Sequence, residues 1–125
     1  STKNVGVLGL AFKPTTPVII ESPAIKLIEK LLEENYQIFV YDPLAIDNTK
    51  AVFGDKIVYA NAVEDCLESA RVNIVTNPDK VIKKKVESFT PQSTKLIYDC
   101  WRVIDPTQLD PELEYIALGY YNEQP

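Results

Sequence analysis

A chain of 125 residues is the size of one domain, and its 46% hydrophobic and 25% charged residues suit a soluble globular unit with one real core. The net charge of −5, from 13 Lys and Arg against 18 Asp and Glu, argues against general nucleic-acid binding, which relies on many phosphate-neutralising cations. No apolar stretch approaches the roughly 18 residues that span a bilayer. Ser1-Thr2-Lys3-Asn4 runs straight into a strand pattern, so no signal peptide and no membrane partner are expected.

Val5 to Leu10 is a short apolar run that predicts a strand buried on both faces, as in a parallel sheet. After a long loop, Ser22-Pro23 marks a helix start, with serine as the cap and proline in the first helical position. Ala24, Leu27, Ile28, Leu31 and Leu32 then fall on one apolar helical stripe. Gln37–Tyr41 predicts a second strand, stopped by Asp42-Pro43. A short, weak helix is expected over 44–53 and a short strand over Lys56–Val58. Ala62, Val63, Cys66, Leu67 and Ala70 have helical spacing, and Val72–Thr76 reads as a fourth strand. Asp79 can cap a helix running to about Ser88, Lys95–Asp99 predicts a fifth strand, and Tyr115–Leu118 a final one. Lys83-Lys84-Lys85 reads as a solvated helix face.

This alternation predicts an α/β, three-layer, Rossmann-like domain with a mainly parallel sheet of five to six strands. Ligands of such sheets bind beyond the carboxyl ends of the strands, near the point where strand order reverses. Two loops therefore matter: 9–21 and 99–106. The first is not a G-x-G-x-x-G clamp, because its helix waits until Pro23. It carries Phe12-Lys13, a flat apolar ring beside a cation, which suits a nucleotide but equally a core ring beside a surface lysine.

The chain has no histidine and only two cysteines, Cys66 and Cys100. That excludes a Ser-His or Cys-His nucleophile pair and a CxxC zinc site, so no catalytic residue and no metal site are expected. Cys66 lies on an apolar stripe, where burial is the default. Cys100 sits beside Arg102, whose charge can lower a thiol pKa.

Leu8-Gly9-Leu10-Ala11-Phe12-Lys13, then Glu21-Ser22-Pro23-Ala24, resembles the opening of the C-terminal domain in the UDP-glucose/GDP-mannose dehydrogenase family, which reads L-G-[LF]-[AST]-F-K and later E-S-P-A. Tyr41-Asp42-Pro43 is similar to the family's Y-D-P, and Asp99 to Pro106 resembles its D-G-R-[NR]-[VIL]-[LY]-D-P. The resemblance implies the substrate-binding domain of an NAD-dependent UDP-sugar 6-dehydrogenase. Such an enzyme oxidises the sugar C6 alcohol of UDP-glucose, UDP-N-acetylmannosamine or UDP-N-acetylglucosamine to a carboxylate. It further implies NAD held mainly by an N-terminal domain of the same polypeptide, a central region with the nucleophilic cysteine, a homodimeric parent and a cytoplasmic location. Phe12, Lys13 and Arg102 match the positions that face the UDP-sugar.

Two departures stand beside these matches. Thr16-Pro17-Val18-Ile19-Ile20 replaces the family's T-D-D-x-R, removing both acids and the arginine, and an apolar run there, if exposed, suggests a packing surface. Cys100-Trp101 replaces Gly-Arg; the indole suits stacking on a base or sugar as well as packing. A catalytically silent binding or regulatory module of a divergent homologue, and an unrelated Rossmann-like assembly domain, are the competing expectations.

Overall fold

All six predicted strands are present in residues 3–117, the part of the chain that the computed structural model describes, and all are parallel. In chain order the elements are β1 (Asn4–Leu8), α1 (Pro23–Glu33), β2 (Gln37–Tyr41), α2 (Ile46–Phe53), β3 (Val58–Tyr59), α3 (Val63–Ser69), β4 (Val72–Val75), α4 (Lys80–Glu87), β5 (Lys95–Asp99) and β6 (Leu113–Ala117). The sheet order is β3-β2-β1-β4-β5-β6, so the order reverses between β1 and β4.

The side-chain alternation of a strand divides the core in two. Val5 and Val7 of β1 and Ile38 and Val40 of β2 join Ala24 and Ile28 of α1 and Phe53 of α2 in one cluster. Leu8 of β1, Val75 of β4 and Ile97 of β5 join Cys66 and Leu67 of α3 and Ile82 and Val86 of α4 in the other. Helices thus cover both faces, giving the three layers that the sequence predicts.

The predicted caps form. The Ser22 hydroxyl accepts from Ala24 N at 3.2 Å, and Asp79 Oδ1 accepts from Val81 N and Ile82 N at 2.8 and 3.1 Å. Several boundaries shift. β1 stops at Leu8 because Gly9 turns the chain with φ +110°. β3 begins at Val58, two residues late, because Gly54–Lys56 forms a single 3₁₀ turn. β6 begins at Leu113, whose buried side chain anchors it below the exposed Pro111; Leu118 lies outside the described residues.

Candidate nucleotide-sugar site

In an all-parallel sheet every strand's carboxyl end lies on one rim, so the loops after β1, β2, β4 and β5 meet there. The loop after β1 is held down by a carboxylate from the next strand. Asp42, 5% exposed, accepts from Leu10 N at 2.7 Å and Ala11 N at 3.1 Å through Oδ2. Its Oδ1 accepts from Leu44 N and Ala45 N at 2.8 and 2.9 Å. Four otherwise orphaned backbone donors thus share one buried anion. Phe12 N donates to Val18 O and closes a turn that contains Lys13. The Ser22 hydroxyl then donates to Leu10 O, stitching the end of the loop back to its beginning.

The loop after β5 is built on the same plan. Asp99, fully buried, accepts from Trp101 N through Oδ1, and from Ile104 N and the Tyr115 hydroxyl through Oδ2. Trp101 then reaches sideways: its indole Nε1 donates to Thr76 O at 3.0 Å. The Thr76 hydroxyl bonds Leu8 O and Gly9 O, and Asn77 Nδ2 donates to Ala11 O. The ends of β1, β4 and β5 are therefore one connected network across the point of strand-order reversal.

Phe12, Lys13 and Arg102 all lie exposed on these two loops, at one rim. Phe12 is not a core ring: it is 50% exposed. Lys13 makes no ion pair among the described residues. Both carboxylate oxygens of Asp99 accept hydrogen bonds from within the fold, and Asp105 Oδ1 accepts from the Thr107 amide and hydroxyl. Arg102 is held at φ 55°, and Thr15 and Glu21 of the first loop at φ 65°, a conformation uncommon for non-glycine residues and concentrated here on the two loops. A cleft of about 340 Å³ opens between the first loop and the start of α4, lined by Pro14, Thr15, Pro78, Asp79, Lys80 and Val81. Sequence reasoning missed Asp42 and Asp99 as loop anchors. The signal was an aspartate directly after an apolar strand, where its carboxylate can take up the amide two residues on.

A model of the UDP binding domain of the UDP-glucose/GDP-mannose dehydrogenase family matches residues 6–106. The chain belongs to this family. It is 35% identical over 102 residues to a UDP-glucose 6-dehydrogenase of Haloferax volcanii, covering 82% of this chain and 24% of that protein. It is 35% identical over 122 residues to one of Bacillus subtilis, covering 94% and 25%. A solved UDP-glucose dehydrogenase from Pyrobaculum islandicum superposes with a TM-score of 0.74 at 28% identity, covering 90% of this chain and 24% of that one. The chain thus spans about a quarter of the length of these relatives.

Against this UDP-glucose/GDP-mannose dehydrogenase background the departures take physical form. In the 17–20 run Ile19 packs on the first core cluster, whereas Val18 is 44% and Ile20 75% exposed. The family's NAD does not fit these residues. The first helix is closed by Ser22, whose hydroxyl is shared between Ala24 N and Leu10 O, and the 9–22 segment intervenes where a pyrophosphate would need open amides. Neither thiol is activated. Burial, with Asp65 adding to it, pushes Cys66 up to about 12. The Cys100 thiol is also raised, by burial and then by Asp99, which corrects the expectation that Arg102 lowers it. Among the described residues no group of three or more His, Cys, Asp or Glu is placed to hold a metal ion.

Proposed function

We propose that this chain is the substrate-binding domain of an NAD-dependent UDP-sugar 6-dehydrogenase, with Lys13 and Arg102 on the diphosphate and Phe12 against the nucleotide. The observation that supports the reading is a shared rim. Two cations and an exposed ring lie on two loops, those after β1 and β5, that are both bonded to Thr76 at the reversal point of a parallel sheet. Lys13 supplies a mobile point charge; the Arg102 guanidinium supplies two parallel donors for phosphate oxygens.

In this reading the chain's residues bind and orient the nucleotide. The hydride acceptor and the attacking thiol belong to the remainder of the longer polypeptide, which would act as a cytoplasmic homodimer. NAD supplies the oxidation there, and no step of it runs through residues 1–125. The isolated chain is accordingly expected to produce no NADH with UDP-glucose.

The test is a calorimetric titration of UDP, GDP, UDP-glucose and UDP-N-acetylmannosamine, repeated with Lys13→Ala and Arg102→Ala. Each substitution is expected to weaken UDP binding about tenfold, the size of one charge-assisted phosphate contact. Unchanged affinity in both variants removes the site assignment. The exposed Val18 and Ile20, standing where the family carries charged residues, favour a second reading: a nucleotide-sugar-binding module whose parent has lost catalysis. Full-length protein that binds UDP-glucose yet yields no NADH would select it.

A further inference from the structure

Trp101 is the chain's only tryptophan, and the family pattern has arginine at its position, so no role comes to it from the resemblance. Its placement is specific. The backbone is fixed by Asp99, and the ring nitrogen is fixed by Thr76 O, just past the end of β4, the strand next to β1. The ring's one polar atom is therefore already satisfied inside the protein, yet half of the residue remains open to solvent. With that nitrogen bonded, what the ring offers outward is its carbon surface, on the residue next to Arg102 and on the rim that carries Phe12 and Lys13.

A buried anchor would hide its ring, and a merely solvated side chain would not have its nitrogen tied to a neighbouring strand. An oriented, half-open indole beside a phosphate-binding cation is the arrangement that takes a flat heterocycle. We infer that Trp101 is the stacking platform for the base of the bound nucleotide, resting on the nucleotide-binding role proposed for Lys13 and Arg102. The phosphates then lie toward the cations while the base lies on the indole. Stacking is tolerant of base identity because every base has a π-face, so this contact contributes affinity more than discrimination between uracil and guanine.

The single tryptophan makes the test local. Selective excitation of Trp101 should show quenching on titration with UMP or UDP and no change with inorganic pyrophosphate. Trp101→Leu is expected to weaken UMP and UDP binding about tenfold while leaving pyrophosphate binding unaltered. Trp101→Phe keeps a ring and should retain affinity within about threefold of the wild type. Replacing UMP by 5,6-dihydrouridine monophosphate, whose base is no longer planar, should erase most of the difference between wild type and Trp101→Leu. Circular dichroism checks the fold; should the leucine variant misfold, the wild-type quenching and the phenylalanine variant decide. UDP binding without quenching, and with equal affinity in Trp101→Leu, overturns the stacking role and leaves the Lys13 and Arg102 reading intact. No UDP binding by the wild type removes both.

Discussion

The loops after β1 and β5 reach the same rim by the same device and differ in what they do with it. Each is gathered by an aspartate at the end of a strand, Asp42 for the first and Asp99 for the second. The first anchor serves four backbone amides and holds two connections at once. The second serves two amides of a single tight turn and a tyrosine hydroxyl that reaches in from β6. The first loop is long and raises an exposed apolar turn; the second is short and throws one aromatic arm across to β4. Attachment is thus the shared part of the design, and the surface each loop offers is what varies.

The largest expected effect separates the two anchors. Asp42→Ala leaves three buried amides and one part-buried amide without an acceptor and should cost about 3–5 kcal/mol. That is a large part of the stability of a domain this size. Asp99→Ala should cost less, about 2–3 kcal/mol, because one of its three donors is a hydroxyl that can rotate to water. Urea unfolding of the two variants measures the difference, and equal losses would break the comparison.

Gly9→Ala comes next, at about 2 kcal/mol. The glycine sits at φ +110°, and an added Cβ would lie 2.4 Å from the Asn77 Cβ, so the junction of β1, β4 and the first loop must move. A variant that unfolds at the wild-type urea midpoint would mean that the junction is softer than its contacts indicate. Thr76→Val is smaller, about 1 kcal/mol, since it removes only the hydroxyl contacts to Leu8 O and Gly9 O and keeps the Trp101 acceptor. Its UDP affinity should stay near wild type, which distinguishes loop stapling from ligand contact.

The smallest effect concerns the thiols. Cys66 has a folded pKa raised above its ordinary value of 9.0, so the stability it contributes is complete below pH 9 and is lost as the pH rises toward about 12. Urea midpoints should fall across that window, and less steeply in Cys66→Ala. At neutral pH a disulfide reagent should label half-buried Cys100 ahead of Cys66, and both more slowly than an unfolded control.

The sheet and its helices were legible because short-range chemistry decides them. Ser22-Pro23 and Asp79 carry their capping function in their own side chains, and the apolar runs 5–8, 37–41 and 95–99 fall where the strands form. The site was legible only as a place. That Phe12, Lys13 and Arg102 share a rim follows from parallel topology. That Asp42 reaches Leu10 and Ala11, thirty residues earlier, depends on two strands being neighbours, a fact no local pattern carries. The Trp101 bond to Thr76 is equally non-local, and the early start of β6, at Leu113 and not at the expected Tyr115, reflects burial of Leu113.

The closure of the first loop at Phe12–Val18 and Leu10–Ser22 has a consequence for how such a domain can change over generations. Residues 14–17, beyond Lys13, form a cartridge clipped in at both ends. Its contents can drift without retuning the helix or the strand that flank it. Transplanting the corresponding four residues from a relative should therefore exchange the surface this loop presents while the recipient keeps its melting behaviour. A lineage can rewrite its partner preferences at this one address and leave the rest of the text untouched.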